Sequence, residues 1–202
     1  MDRDMARELT AMAEEDQRVR ADLAWDGHLF RGYHPRMAEV HSRNAERLRE
    51  IIDQHGWPGS SLVGQRAARA ASLILQHAIA YPQLMRSGLE LIKEAAGRGE
   101  ASLAEAAVLE DRIRILEGRP QLYGTQHDWD DHGEMSPLPI EDSKRVDERR
   151  LAIGLPRLGE STRRVREGAR AAGELPPGDM QQRRQEAETW ARLVGWRTRA
   201  NR

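Results

Sequence analysis

The 202-residue sequence has no cysteine, very little lysine and few aromatic residues. The lack of cysteine excludes disulfides, thiolate metal ligands and a cysteine nucleophile. Aromatic residues make up only 4% of the chain, and strands prefer β-branched and aromatic residues, so a sheet-based fold is disfavoured. Alanine, leucine, arginine and glutamate dominate instead, and these residues favour helices. The composition therefore predicts an all-α protein.

The sequence also lacks long hydrophobic runs and an excess of charge of one sign. No apolar run approaches the roughly 20 residues of a membrane span, and the acidic N-terminus is unlike a signal peptide. The net charge is −1, with interspersed signs, whereas nucleic-acid binders usually collect basic residues on one face. We therefore expect a cytoplasmic protein without membrane or nucleic-acid partners. Lysine occurs only at positions 93 and 144, which indicates a GC-rich bacterial genome.

The apolar spacing predicts an irregular helical bundle of seven or eight helices. A long irregular segment near residues 118–140 interrupts the pattern, and loops of this length in compact domains are usually functional or disordered. We predict a helical domain over residues 1–160. Residues 161–202 are predicted to form a C-terminal helical extension, either packed on that domain or acting as an interaction arm.

Four of the predicted helices carry polar residues on their apolar faces. Buried polar groups are costly unless they are hydrogen-bonded, so their recurrence indicates a shared polar pocket inside the bundle. The residues are Asp16 in the first helix, His41 and Asn44 in the second, His77 in the third and Asp111 in the fifth.

A purely structural explanation of these residues is also open. An inward histidine is often simply a hydrogen-bonded core residue. Asp16 could pair with Arg20 one turn later, and Asn44 could cap a loop. Asp111 could pair with Arg112, Arg114 or a neighbouring helix.

A set of short motifs runs through the chain in a specific order, and the chain resembles a bacterial family of unknown function with the order DQ, HGWP, QHA, DR, GxPQ, YGTQ and VDxRR. The resemblance covers roughly residues 9–160 and implies no activity. The motifs stand here as Asp16-Gln17, His55 to Pro58, Gln76 to Ala78, Asp111-Arg112, Gly118 to Gln121, Tyr123 to Gln126 and Val146 to Arg150.

The inward polar residues predict cofactor-independent acid–base chemistry on a small molecule. A carboxylate, Asp111, bonded to one nitrogen of His77 would leave the other nitrogen to act as base or acid, and Tyr123 could stabilise a developing oxyanion. This arrangement suits a lyase, isomerase, cyclase or hydrolase. We predict that the substrate contacts Asp16, Arg20, His41, Asn44, Gln76, Arg112, Gln121 and Gln126. The segment GRPQLYGTQHDW, residues 118–129, would form the wall or lid of this pocket.

Two other functions are open at this stage. The segment HDWDDHGE, with His127 to Glu134, could hold a metal for a hydrolase, although it lacks a standard ligand spacing such as HExxH. Alternatively, the protein could be a non-catalytic module that binds a ligand or a partner. Its C-terminal Arg/Glu-rich helices could then form a homodimer, although solvated charged faces explain most of their length.

Overall fold

The computed structural model describes residues 1–26 and 32–197. These residues contain eight α-helices and few strands, which confirms the predicted all-α class and irregular helical bundle. None of the described helices has the length and hydropathy that crossing a membrane would require. The helices are α1 (Arg3–Trp25), α2 (Pro35–His55), α3 (Ser60–His77), α4 (Pro82–Gly97), α5 (Leu103–Leu116), α6 (Val146–Ala152), α7 (Leu158–Ala171) and α8 (Met180–Leu193).

The chain divides into two compact units, Met1–Leu109 and Glu110–Arg202, and the border falls inside α5. The division predicted at residue 160 stays a prediction. Residues 198–202, at the end of the predicted C-terminal extension, lie outside the described residues.

In the first unit, α1, α2 and α3 pack against one another, and α4 packs on α3. The N-terminus of α1 is capped by Asp2, whose carboxylate accepts hydrogen bonds from the backbone N–H groups of Asp4 and Met5. Small buried residues on α3, such as Ala67 and Ala71, allow α1 and α2 to pack closely against it. The core includes Leu9, Leu23, Leu48, Ile51, Ala67, Ala71, Leu75 and Ile92.

Helix α3 is kinked at Gly64, whose φ is +79°, and it ends at His77. This end matters for the site, because it places His77 at the last position of the helix.

In the second unit, the segment predicted as one long loop contains an antiparallel hairpin. Strands β1 (His127–Trp129) and β2 (Met135–Pro137) pair with Asp128 opposite Ser136. A parallel bridge also joins Gln121 to Ile140. The segment is therefore ordered by backbone hydrogen bonds, and α7 packs against β2.

Candidate functional site

Three polar residues predicted to face inward meet inside the first unit. Asp16 comes from the apolar face of α1, His41 from that of α2, and His77 from the end of α3. Asp16 is only 1% exposed and His41 only 9%. Because α1 packs against both other helices, the Asp16 carboxylate lies within reach of both imidazole rings. We call Asp16, His41 and His77 the histidine cluster.

The distances within the histidine cluster are those of bonded groups. The Nδ1 of His77 lies 2.9 Å from Oδ1 and 2.8 Å from Oδ2 of Asp16. The Nε2 of His41 lies 3.2 Å from Oδ2 of Asp16, within ion-pair distance but outside hydrogen-bond geometry. The centroids of the two imidazole rings are 5.1 Å apart. One buried carboxylate thus serves two histidines.

The environment keeps Asp16 ionised. Burial by itself would raise the pKa of Asp16, because a carboxylate loses its hydration in the interior. Close polar contacts and charge interactions with His41 and His77 outweigh burial and hold the pKa of Asp16 well below its usual range. The cluster therefore has a permanent negative charge at its centre.

Tyr33, a residue that the sequence pattern did not predict, contacts the histidine cluster through His41. Its hydroxyl lies 2.9 Å from the Nδ1 of His41, and the two rings stack with centroids 5.7 Å apart. Burial and the nearby Asp16 charge raise the pKa of the Tyr33 hydroxyl, so it stays protonated. Tyr33 stands two residues before Pro35, in a turn-rich segment without helical periodicity, so the apolar-stripe pattern gave no signal for it.

The other first-unit residues predicted to contact substrate have different positions. The Nδ2 of Asn44 donates to the backbone oxygen of Met12 at 3.2 Å, so Asn44 links α2 to α1. Arg20 is exposed, and the carboxylate of Asp16 is bonded to histidines, so the alternative Asp16–Arg20 pair is not formed. Gln76 is half-buried beside His77.

Asp111 has a different partner from the one predicted. The carboxylate bonded to His77 is Asp16, whereas Asp111 belongs to the second unit and is fully buried. Its two oxygens accept hydrogen bonds from the backbone N–H groups of Leu122, Tyr123 and Thr125 and from the Thr125 hydroxyl. Asp111 therefore holds the segment 122–125 in its folded path.

Gln121 and Gln126 also hold the segment that follows α5 in its folded path. The fully buried amide of Gln121 donates to the backbone oxygens of Gln126 and Leu138, and it accepts from the Gln126 N–H. The side chain of Gln126 accepts a bond of 3.1 Å from the Nε of Arg112. The motifs DR, GxPQ and YGTQ thus form one hydrogen-bonded unit, and the prediction that it closes over the histidine cluster stays a prediction.

Arg150 holds the same segment through its carbonyl oxygens. It is 2% exposed, and its guanidinium donates to the backbone oxygens of Tyr123 and Pro156 and to the Ser161 hydroxyl. Burial lowers the pKa of Arg150, an effect that the charges of Asp147 and Asp111 oppose. The only sequence signal for Arg150 was its place in the VDxRR motif.

The acidic hairpin segment, the alternative metal site, is occupied by other interactions. Asp128 pairs with Arg183, and Glu134 pairs with Arg166. Asp130 accepts from the backbone N–H groups of His132 and Glu134 and from the Ser136 hydroxyl. These carboxylates already serve to shape the turn and to bind arginines.

Two features require glycine at position 124 in the YGTQ segment: a positive φ angle, and neighbouring side chains that leave no room for a Cβ. Its φ is +68°, and a Cβ would lie 2.7 Å from Leu158 Cδ1 and 2.8 Å from Ile140 Cδ1. Gly154 is the matched control, because its φ is +76° and a Cβ there would meet nothing within 4 Å. We expect Gly154→Ala to cost about 1 kcal/mol and Gly124→Ala about 1–2 kcal/mol more, measured by urea denaturation. Equal losses of unfolding free energy in the two variants would show that the side chains of Leu158 and Ile140 move aside without strain.

The fold and the histidine cluster together define an all-α protein with one buried carboxylate shared by two imidazoles. The chain belongs to a family described as a family of unknown function, DUF6624, whose model matches residues 3–172. This match confirms the membership in a family of unknown function that the motifs predicted. No curated protein and no solved structure matches the chain.

Proposed function

We propose that the protein is an enzyme that transforms a small polar or anionic metabolite by cofactor-independent acid–base catalysis. The observation that carries this proposal is the buried Asp16 carboxylate bonded to His77, with His41 on the same carboxylate. A bonded carboxylate orients an imidazole and stabilises the imidazolium that forms when the ring takes up a proton.

His77 is the proton-transferring residue in this proposal, and Asp16 is its positioning residue. When Nδ1 donates its proton to Asp16, the ring's Nε2 is the nitrogen that exchanges protons with a substrate. The side chain of His77 is 15% exposed whereas that of Asp16 is 1% exposed, so the histidine is the more accessible of the two groups. This difference matches the two roles.

In this proposal His41 is a second group that can take up a proton beside the Asp16 carboxylate. Tyr33, His41 and Asp16 form a chain of groups 2.9 and 3.2 Å apart. Such a chain can hold the proton that leaves the substrate or return it, which suits elimination, isomerisation, cyclisation or hydrolysis. Arg20, exposed and one turn after Asp16, is our candidate for holding an anionic group of the substrate.

Turnover by His77 variants tests this proposal. The full chain is incubated with a fractionated polar metabolite extract from bacteria, and mass spectrometry follows which components disappear and form. We expect His77→Gln to lower the rate of the detected conversion by about 10²–10⁴-fold, because the proton-transferring group is lost. His55→Gln is the matched control, since His55 is an exposed histidine at the end of α2, and it should keep the wild-type rate.

The same experiment separates the enzyme from the binding module. An unchanged rate in His77→Gln would refute the proposed role of His77. If the protein converts nothing but retains one extract component, and His77→Gln releases it, the histidine cluster is a binding site and not a catalytic one. Equilibrium dialysis of the retained component against both variants makes this distinction.

The proposal includes a bacterial, cytoplasmic protein whose partner is its small-molecule substrate. The arginine-rich, lysine-poor composition supports the bacterial origin. A homodimer through α7 and α8 is the alternative role of the C-terminal helices, and sedimentation equilibrium tests it. Several of their charges pair within one helix, as in Arg164–Glu160 and Arg192–Glu188, which supports solvated faces instead.

A further inference from the structure

The histidine cluster also has the composition of a metal site. Among the described residues, one group of three offers ligand atoms that all lie within 4.8 Å of one another, and it is Asp16, His41 and His77. Two imidazoles and one carboxylate are a donor set that binds first-row transition metals with positions left open for water or substrate. Calcium and magnesium prefer oxygen ligands, so two imidazoles disfavour them.

The carboxylate–imidazole distances fit one shared ion as well as they fit hydrogen bonds. Ligands that share one ion at about 2.0–2.2 Å lie about 2.8–3.6 Å apart in tetrahedral or octahedral geometry. The Oδ2 of Asp16 is 3.2 Å from the Nε2 of His41 and 2.8 Å from the Nδ1 of His77. Both separations are close to this range, with the carboxylate oxygen common to the two.

The Nε2 of His41 provides an independent observation. It is buried and has no hydrogen-bond partner among the described residues, although it faces the Asp16 carboxylate. A buried nitrogen without a partner costs free energy, and the cost disappears when its lone pair binds a cation. A cation bound by the Nε2 of His41 would therefore satisfy the one nitrogen of this ring that lacks a hydrogen bond.

Tyr33 supplies the outer contact that metal-binding histidines usually have. Ligating histidines generally bond their second ring nitrogen to an acceptor, which fixes the tautomer and directs the other nitrogen at the metal. The hydroxyl of Tyr33 lies 2.9 Å from the Nδ1 of His41. If Nδ1 donates its proton to this hydroxyl, Nε2 carries the lone pair that faces Asp16.

We infer that Asp16, His41 and His77 form a binding site for one divalent first-row transition-metal ion of the Zn²⁺ class. To bind the ion, the Nδ1 of His77 gives up the proton that it donates to Asp16, and in a neutral imidazole this proton moves to the Nε2 of the same ring. The inference does not rest on the proposed turnover, because ligation follows from the three side chains alone.

Calorimetric titration of the chelator-treated full chain with Zn²⁺ tests the inference without any substrate. We expect saturation at one Zn²⁺ per chain and no comparable binding of Mg²⁺. His41→Gln and His77→Gln should each weaken Zn²⁺ binding more than a hundredfold, beyond the 10–100-fold expected for loss of an outer contact. His55→Gln, the exposed control, should leave binding unchanged.

Tyr33→Phe keeps the aromatic ring and all three ligands, so it tests the site even where a ligand variant fails to fold. We expect Tyr33→Phe to weaken Zn²⁺ binding by about 10–100-fold. Co²⁺, whose visible absorption reports coordination, should show bands that are lost in His41→Gln. The inference is overturned if the wild type does not bind Zn²⁺ saturably, or if the histidine variants bind as the wild type does.

Two further outcomes separate this inference from its rivals. Loss of Zn²⁺ binding in Asp130→Asn, with the histidine variants unaffected, would move the site to the acidic hairpin and overturn the inference. Turnover that survives chelation while Zn²⁺ fails to bind would retain the acid–base proposal and reject the metal site. Zn²⁺ binding without turnover of any extract component would retain the metal site and reject the acid–base proposal.

Discussion

Asp16→Asn is expected to lower the free energy of unfolding by about 3 kcal/mol, because the substitution removes the charge that two histidines share. The Asp16 carboxylate accepts at both oxygens from His77 and also faces the Nε2 of His41. An asparagine amide has one oxygen only, and its NH₂ group would point a donor at a ring nitrogen. The change keeps the side-chain shape, so the loss reports the charge and not the packing.

Urea denaturation followed by circular dichroism measures this effect. Asp53→Asn is the matched control, since Asp53 lies exposed on α2, and it should unfold as the wild type does. The same Asp16→Asn protein should convert substrate at least about a hundredfold more slowly, if Asp16 positions His77. An unfolding free energy and a rate both equal to those of the wild type would show that Asp16 has neither role.

A double-mutant cycle distinguishes the pair from two independent residues. Asp16→Asn and His77→Gln should be non-additive in unfolding free energy, with a coupling of about 0.5–3 kcal/mol, because the two side chains contact each other. Additive losses would mean that the 2.8 Å contact contributes nothing of its own.

Asp111→Asn is expected to cost about 3–5 kcal/mol, the largest loss of stability that we predict. Asp111 is fully buried and accepts bonds from three backbone N–H groups and one hydroxyl. The amide nitrogen of asparagine would face N–H groups instead of accepting from them. At least one backbone donor of the segment 122–125 would then be buried without a partner.

Amide hydrogen exchange shows which part of the structure Asp111→Asn destabilises. Asp111→Asn should remove the protection of the amides of Leu122 and Thr125, whereas the amides of α1 should keep their rates. Asp131→Asn is the control, because the side chain of Asp131 is exposed and its pairing with Arg184 is at the surface. Unchanged protection at Leu122 in Asp111→Asn would contradict the role given to this carboxylate.

The periodicity of the chain was sufficient to predict the fold class and the inward direction of the polar residues. A helical side chain every three or four positions faces one way, so Asp16, His41 and His77 could be placed on buried faces without a structure. Burial of Asp16 and His41 follows from the same rule, since each stands in the apolar stripe of its helix.

The partners of these residues were beyond the reach of periodicity. Spacing along one helix says which face is buried, but not which neighbouring helix covers it or at what height. His77 was expected to bond Asp111, yet its bonded carboxylate is Asp16, because α1 and α3 pack side by side in the first unit. Tyr33 lies outside any helix, so no stripe could predict its bond to His41.

In the segment 118–129, too, the sequence determined some features and the tertiary structure determined others. The sequence alone determined that regular helix ends before Gly118 and that an irregular segment rich in motifs follows. Only the tertiary structure decided that Asp111 bonds its N–H groups and Arg150 its carbonyl oxygens. The reason is physical: helix patterning is local along the chain, whereas these hydrogen bonds join residues up to 27 positions apart.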